Sequence, residues 1–285
     1  MKKICKKSYD FIYKVEKTTT LREFLREKEF STRFIRQVTL GHLVYINNIL
    51  SFTNGPVESG DSIGICLPQE ESQIPIVDKD LEILYEDRDY IIVNKPYGIS
   101  VHPAKGTGPD TLSGRVANYY KNQGLRRKIR PVSRLDKETS GILIFAKHSP
   151  AQEHLQREQK KGNFFKRYIA TTLNVPNPPQ GMIEESLTWD SNLKIGKVDR
   201  QGKKSCTEYK VIDESESTII SCILHTGRTH QIRIHLSHLG CPILGDEKYG
   251  GHPFRRMCLH CIEVEFPGFE SEEIIHINTK FPKDF

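Results

Sequence analysis

One carboxylate in the middle of the chain has a setting that suits a catalytic acid. Asp136 lies between Arg134 and Lys137, and the small residues 139–141 then lead into the apolar run 142–146, which has the length and residue types of a buried strand. An aspartate has a reference pKa of about 3.9, so at neutral pH its carboxylate is a candidate nucleophile or base. The same charge pattern also fits a surface turn with a local ion pair, because such pairs are common and weak.

Five segments of the sequence, taken in order, resemble the motifs of one enzyme family. They are Asn94-Lys95-Pro96-Tyr97-Gly98 with Val101-His102-Pro103; Arg134-Leu135-Asp136-Lys137-Glu138-Thr139-Ser140-Gly141; Lys166-Arg167-Tyr168; Thr226-Gly227-Arg228-Thr229-His230-Gln231-Ile232-Arg233-Ile234-His235; and Pro242-Ile243-Leu244-Gly245-Asp246 with Tyr249-Gly250. Together they resemble the pseudouridine synthases of the RluA type, which isomerise uridine within RNA. Five motifs in the right order are far more specific than one. One position departs from the family pattern, because Ser133 stands where the family usually has His.

The resemblance implies an α+β pseudouridine synthase fold with a mixed, largely antiparallel sheet, and it implies an isomerase. Pseudouridine forms when the bond between ribose and N1 of uracil breaks, the base turns, and a new bond joins the ribose to C5. This reaction has no redox step and no net transfer, so we expect no cofactor. In agreement, the sequence has no phosphate-binding P-loop, dinucleotide fingerprint or H-E-x-x-H motif.

The resemblance also assigns catalytic roles. It implies that Asp136 acts either as a nucleophile at the sugar or as a base that takes a ribose proton, and that Arg233 is its buried cationic partner. Tyr168 on its own would be read as a core tyrosine, but in the family this position lies against the target base and is a candidate to remove the C5 proton. Arg228 is predicted to contact phosphate, and an exchange of roles between the two arginines stays open.

A uridine inside a helix hides its bond to the sugar, so the target must be extruded and the displaced backbone held. The predicted RNA contacts are His102, Arg134, Lys166, Arg167 and Arg228, together with Arg33 and Arg36 near the N-terminus. His230 and His235 are interpreted as structural histidines.

Basic residues are concentrated in the middle of the chain. Residues 105–210 contain 21 Lys and Arg against 10 Asp and Glu, whereas the remainder contains 21 against 26. Clusters within 121–130, 160–167 and 194–204 flank the candidate acid. Any one of them fits a solvated face, but three around one acid favour a groove that follows RNA phosphates.

The composition of the chain indicates its cellular compartment and the kind of partner it binds. The 285 residues are 36% hydrophobic and 27% charged, and no apolar run is long enough to span a bilayer. The basic stretch 1–7 lacks the apolar core of a signal peptide, so we expect a cytoplasmic monomer whose partner is RNA, ribosomal or transfer, and not a membrane. Seven scattered cysteines indicate reduced thiols. Cys258-Leu259-His260-Cys261 lacks the second pair that a zinc site needs, so we expect a strand over 259–266 and no metal.

The N-terminal residues predict a separate module. Thr20 and Glu23 form a capping box before a first helix, and a second helix begins at Ser31, ends near Gly41 and leaves Arg33 and Arg36 outward. With strands at 44–46 and 62–67, this pattern resembles the alpha-L RNA-binding domain, the type named after ribosomal protein S-four. A packing or dimerisation module is the alternative. The predicted domains are therefore an RNA-binding module at 1–67, a linker at 68–80 and a catalytic domain at 81–285.

Further along the chain, a hairpin is predicted over 83–93. Helices are predicted at 112–120, from a capping box at 149–152 to residue 160, and at 229–239. Strands are predicted at 168–173, 207–212, 218–224 and 259–266.

Two other functions compete with the isomerase. A catalytically silent RNA-binding or ribosome-assembly factor could use the same fold, although it would not need Asp136, Tyr168 and Arg233 together. A glycosidic hydrolase would need a second carboxylate facing the first across the substrate, and Glu138 is the only near candidate.

Overall fold

The computed structural model describes residues 9–51, 55–104, 108–271 and 273–285. The basic stretch 1–7, used above to predict the compartment, lies outside these ranges. Across the described ranges, no helix combines the length and the apolar composition that crossing a bilayer requires.

The N-terminal module is a small sheet with two helices packed on it. Its elements are β1 (Phe11–Lys14), β2 (Thr19–Thr20), α1 (Leu21–Glu27), α2 (Thr32–Leu40), β3 (Val44–Ile46), β4 (Ile49–Leu50), β5 (Pro56–Val57) and β6 (Ser62–Ile65). The predicted capping box is confirmed, because Thr20 accepts the backbone N–H of Glu23 while the Glu23 side chain accepts that of Thr20. Ser31 caps α2, as predicted, and Arg33 and Arg36 are exposed.

The rest of the chain forms one larger unit. Its elements are β7 (Ile83–Glu86), β8 (Tyr90–Lys95), α3 (Leu112–Asn122), β9 (Arg130–Pro131), β10 (Ser140–Ala146), α4 (Ser149–Lys161), β11 (Phe165–Thr172), β12 (Gln180–Asp190), β13 (Ile195–Val198), β14 (Lys203–Asp213), β15 (Thr218–Leu224), α5 (Gln231–His238), a 3-10 turn (Glu247–Tyr249), β16 (Leu259–Pro267) and β17 (Ile274–Asn278).

A single mixed sheet runs through this larger unit. Its order in the described chain is β13-β12-β14-β15-β11-β16-β10-β8-β7, with β17 beside β16 and β9 beside β10. β10 and β16 pair in parallel at their first residues, whereas neighbouring pairs such as β10 with β8 and β11 with β16 are antiparallel. All seven residues of β10 are buried, as the apolar run predicted. The predicted α+β class with a largely antiparallel sheet is confirmed.

The N-terminal module packs directly on the larger unit. The Phe11 ring lies 5.5 Å from the ring of His148 and 5.8 Å from that of Phe269. Ser31 donates to Glu153 on α4 at 3.0 Å, and one helical turn further Arg157 pairs with Glu29 at 3.1 Å. An aromatic contact and polar bonds to α4 therefore fix the position of the module relative to the sheet.

Residues 68–80 contain no helix or strand, but they are bound along the larger unit. Arg130 donates to both carboxylate oxygens of Glu70, at 2.5 and 2.6 Å, and both side chains are nearly buried. The N–H of Val77 donates to the carbonyl of Gly114 on α3 at 3.1 Å. Residues 68–80 therefore lie along the surface of the larger unit and are held there by these bonds.

One capping prediction is wrong. The residue before α4 is His148, not Ser149, and its Nδ1 accepts the N–H of Ala151 at 3.2 Å. Its Nε2 lies 2.8 Å from the carboxylate of Asp89. Burial lowers the pKa of His148, and a neutral ring has one nitrogen free to accept while the other donates to the acid.

Two further elements differ from the predictions. Helix α5 begins at Gln231, not at 229, because His230 is in the left-handed region with φ 57°. Residues 231–236 are all buried, and of the helix only its last residue, His238, is exposed. The hairpin β12–β13 was not predicted at all.

Candidate active site

A cavity of about 500 Å³ lies beside Asp136. Its walls are formed by the loop before β10, the C-terminal end of α4, the start of β11 and the segment that joins β15 to α5. Three of the five motifs, which are far apart in sequence, therefore meet around one carboxylate.

The chain immediately after Asp136 is held by a buried lysine. Lys95 is fully buried, and its Nζ donates to the carbonyls of Lys137 at 3.1 Å and Pro96 at 3.0 Å. The N–H of Gly98 also donates to the carbonyl of Lys137, at 3.0 Å. Burial lowers the pKa of Lys95 to about 7. The first motif thus fixes the loop that carries Asp136 from its C-terminal side.

A second buried lysine holds the same loop on its other side. Lys166 is 8% exposed, and its Nζ donates to the hydroxyl of Ser133 at 2.5 Å. Burial lowers the pKa of Lys166. The sequence predicted Lys166 as an RNA contact, but here its ammonium group lies in the pocket wall and bonds to the serine that replaces the family's usual histidine.

Gly141 is the last residue of the second motif, and its position has no room for a side chain. Its φ is +112°, and a Cβ atom would lie 2.2 Å from the carbonyl oxygen of Cys261 on β16. The close approach lets β10 pair in parallel with β16 at residues 140 and 141. This pairing fixes the start of β10, and with it the end of the loop that carries Asp136.

Asp136 lies at the wall of the cavity with its side chain 20% exposed. Its Oδ2 is 3.6 Å from Nη1 of Arg233 and 3.7 Å from Nε2 of His230. Burial raises the pKa of Asp136, although the positive charges of Arg233 and Arg134 oppose that rise.

The predicted pairing of Arg233 needs a correction. Arg233 is buried near Asp136, as predicted, but its tighter partner is Asp246, which accepts from Nε and Nη2 at 2.7 Å each. The side chains of this pair are 5% and 1% exposed. A two-pronged guanidinium suits such a carboxylate, and its remaining nitrogen faces Asp136. Asp246 belongs to the fifth motif, where the sequence assigned it no role.

His230, interpreted from the sequence as structural, borders the site. Its Nδ1 lies 2.8 Å from the hydroxyl of Tyr249, and that hydroxyl accepts the N–H of Gly196 at 3.0 Å. Burial and the charge of Arg233 lower the pKa of His230 to about 4, so the ring is neutral at neutral pH. The ring thus lies between the Tyr249 hydroxyl on its Nδ1 side and Asp136 on its Nε2 side. His235, by contrast, is fully buried between Ser205 and Thr207, as a structural histidine.

Tyr168 lines the cavity from β11 and is 5% exposed. It pairs in register with Cys261 on β16, just after an irregularity in that ladder. Burial, reinforced by the neighbouring Cys261 thiol, raises the pKa of Tyr168 well above its ordinary value. The hydroxyl of Tyr168 is therefore neutral at neutral pH.

The other predicted RNA contacts are divided between the cavity and more distant surfaces. Arg134 and Arg228 are exposed residues of the cavity lining. His102 is outside the lining, and its Nδ1 lies 3.2 Å from the Ser113 hydroxyl. Arg167 alternates with Lys166 and Tyr168 on β11, so it faces the other side of the sheet, where it pairs with Glu263 at 3.1 Å. Arg33 and Arg36 are exposed on α2.

Replacing Arg134 should change the pH dependence of the enzyme. On the prediction that Asp136 reacts as the carboxylate, activity should fall as pH drops through its raised pKa. Arg134→Gln removes a charge that opposes the rise, and we expect the acid limb of kcat/KM to move to higher pH. The control is Lys121→Gln, which changes an exposed lysine near the end of α3. An unmoved limb would show that Asp136 does not set the pH dependence.

The C-x-x-C segment begins a strand, as predicted, with Cys258 and Cys261 buried. Among the residues that the structure describes, no group of three or more His, Cys, Asp or Glu side chains is arranged to hold a metal ion.

Comparison with known proteins agrees with this geometry. The family described as RNA pseudouridylate synthase matches residues 89–238. The chain is 31% identical over 280 residues to the Bacillus subtilis protein named uncharacterized RNA pseudouridine synthase YlyB, covering 94% of this chain and 92% of that one. It is 30% identical over 263 residues to ribosomal large subunit pseudouridine synthase D of Haemophilus ducreyi, covering 85% and 81%. The solved structure of human RNA pseudouridylate synthase domain containing 4 has a TM-score of 0.58 at 25% identity, covering 71% of this chain and 89% of that one.

Since the matched residues include the cavity and its motifs, the chain belongs to the RNA pseudouridylate synthase family, and the resemblance to its RluA-type members is confirmed. It is an isomerase that converts uridine to pseudouridine in RNA.

Proposed function

We propose that this enzyme isomerises uridine in ribosomal RNA, with Asp136 as the catalytic carboxylate. The observation that carries the assignment of Asp136 is its position, because it is an acid of the cavity wall that faces a buried arginine at 3.6 Å. The target class is supported by the relative from Haemophilus ducreyi, whose name specifies the ribosomal large subunit. Transfer RNA is the second candidate target. We further propose that the enzyme acts in the cytoplasm as a monomer.

The contacts of Asp136 suit either chemical role. As a nucleophile it would attack C1′ of the ribose while the bond to N1 breaks; as a base it would take a ribose proton as that bond weakens. In both cases the positive charges of Arg233 and Arg134 favour the charged form of the carboxylate before reaction. Because burial already raises the pKa of Asp136, the acid is more basic than one in water.

Tyr168 is proposed to lie against the uracil ring. A neutral phenol can pack on an uncharged base without the desolvation cost of an ion. After the base has turned and C5 has bonded to the ribose, the C5–H bond must break. The proposed relay passes the C5 proton to the Tyr168 oxygen as the Tyr168 hydroxyl gives its own proton to the freed carboxylate of Asp136, whose charge acts on Tyr168. Cys261, the residue opposite Tyr168 in the ladder, also raises the pKa of that hydroxyl.

The exposed arginines at the rim are proposed to hold the backbone of the extruded nucleotide. Arg134 and Arg228 line the cavity and are exposed, and Arg228 is held by a bond from its Nε to the carbonyl of Lys204 at 3.2 Å. His102, beside Arg134, would extend this contact, since the charge of Arg134 is felt there and adds to burial in lowering the pKa of His102. Lys166 is proposed to act mainly by holding Ser133, and Arg167 as a contact for RNA that reaches the far side of the sheet.

The experiment that tests this proposal is a map of pseudouridines in ribosomal and transfer RNA from cells with and without the gene. Loss of one or more ribosomal sites, restored by the wild-type chain but not by Asp136→Asn, is the expected result. Unchanged ribosomal RNA together with altered transfer RNA would move the target to the second class. Restoration by Asp136→Asn would remove Asp136 from the catalytic role.

The N-terminal module is proposed to bind RNA through α2, as an alpha-L domain would. Arg33→Ala with Arg36→Ala should weaken RNA binding and reduce the slope of log K against log salt by about two units, one for each lost phosphate contact. Both side chains are exposed, so the melting temperature should not change. Arg22→Ala, an exposed arginine on α1, is the matched control. An unchanged slope in the double variant would favour a packing module instead.

A further inference from the structure

The only tryptophan of the chain is exposed beside the cavity. Trp189 lies on β12, opposite Gly196 of β13, and is 42% exposed. Tryptophan offers the largest apolar ring of any side chain, and leaving it in water forgoes the free energy of burying it. An exposed indole next to a substrate pocket is therefore a candidate contact surface.

A single side chain separates this indole from the catalytic carboxylate. The rings of Trp189 and His230 meet edge to face with centroids 5.0 Å apart, and the Nε2 of His230 is 3.7 Å from Asp136. The hairpin that carries Trp189 is fixed to the same group, because the N–H of Gly196 donates to the Tyr249 hydroxyl that contacts His230. The indole is thus held at a defined place next to the site.

A cation lies on the same face of the sheet as the indole. Lys203, at the start of β14, pairs in register with Leu187, two residues before Trp189 on β12, and it is exposed. Leu193, at the tip of the hairpin, is 71% exposed. An exposed aromatic ring with a cation on the same face is a combination by which proteins hold unpaired nucleotides, the ring for a base and the cation for a phosphate.

We propose that Trp189 stacks on the base next to the target uridine. This inference rests on the proposal that Asp136 marks the site of reaction. When a uridine is turned out of the RNA stack, its neighbour loses a stacking partner, and a fixed indole beside the pocket replaces that partner. Stacking depends on the face of the base and not on its edge, so Trp189 holds the flanking nucleotide without selecting its identity.

The stacking role of Trp189 can be tested by measuring the affinity of the protein for RNA. With the full-length chain and a short single-stranded oligouridylate at fixed salt, Trp189→Ala is expected to raise Kd by about 5- to 150-fold. Trp189→Phe, which keeps a ring, should retain part of the affinity, whereas Trp189→Leu should behave like Trp189→Ala. Leu193→Ala, an exposed apolar residue of the same hairpin, is the matched control and should change Kd little.

A purely structural role for Trp189 predicts a different outcome. If the indole only supports His230, then Trp189→Ala lowers kcat at saturating RNA and leaves Kd unchanged. Our inference instead predicts a raised KM with kcat largely kept. Equal Kd values for the wild type and Trp189→Leu would overturn the stacking role.

The single tryptophan also reports directly on the contact. The intrinsic fluorescence of the wild-type chain comes largely from Trp189, and stacking on a base should quench it as the oligouridylate binds. Quenching does not require turnover, so it is independent of the assignment of Asp136. Quenching with an active Asp136→Asn variant would keep the inference and remove the proposed catalytic residue. An inactive Asp136→Asn variant, together with bound oligouridylate and no quenching, would keep Asp136 as the proposed catalytic residue and overturn the stacking role of Trp189.

Discussion

Asp136→Asn is expected to lower kcat by at least about 10³-fold, because the amide can neither attack C1′ nor accept a proton. The same change should raise the melting temperature at neutral pH. Burial raises the pKa of Asp136 in the folded chain, so the folded state binds this proton more tightly than the unfolded state does. The ionised carboxylate therefore weakens folding above its raised pKa, and the neutral amide avoids that loss.

The pH dependence of this gain provides the check. As pH falls below the unfolded value of about 3.9, the wild-type carboxylate is protonated in both states, and the difference in melting temperature should vanish. Glu138→Gln, two residues further along the same loop, is the matched control and should keep most of the turnover. Loss of activity in both variants, without the stability gain in Asp136→Asn, would point to damage of the loop instead of loss of a catalytic group.

Arg233→Ala is expected to destabilise the fold through Asp246 and to reduce turnover through Asp136. It leaves the carboxylate of Asp246, which is 1% exposed, without its two-pronged partner, and this costs about 3–5 kcal/mol in the free energy of unfolding. It also removes the charge that most opposes the raised pKa of Asp136. Activity near neutral pH should therefore fall along with stability.

Double variants identify the partner of Arg233. Combining Arg233→Ala with Asp246→Asn should recover much of the lost stability, since the buried carboxylate is then neutral. Combining Arg233→Ala with Asp136→Asn should recover less, because Asp246 stays unpaired. Chemical denaturation of the wild type, the three single variants and the two double variants measures both coupling energies. The opposite order would restore Asp136 as the main partner of Arg233, as the sequence had predicted.

Local patterns in the sequence predicted the parts of the fold that local physics decides. The capping box at Thr20 and the buried run of β10 follow from residues that are neighbours in the chain, and both are confirmed. The motif resemblance likewise identified Asp136, Tyr168 and Arg233, which all line the cavity.

Contacts between distant segments were not predictable in this way. Asp246 pairs with Arg233 only because the chain returns after α5, and no spacing rule links an acid to a particular arginine across that return. His148 replaced Ser149 as a cap because Asp89, which is remote in sequence, fixes its ring. The β12–β13 hairpin was missed because its residues are mostly polar, although Asp190 begins a turn in which its side chain accepts the N–H groups of Asn192 and Leu193. The setting of Trp189 was missed with it.

The docked N-terminal module has a consequence for which uridines can react. Ser31, just before α2, is bonded to Glu153 on α4, and the C-terminal end of α4 reaches the cavity at Gly162. Nine residue steps of α4 separate Glu153 from Gly162, which corresponds to about 14 Å. On the proposal that α2 binds RNA, α4 holds the RNA-binding helix at a fixed distance from the cavity. The enzyme would then select a uridine by its distance from the RNA structure that α2 binds, and not by the nucleotide sequence between them.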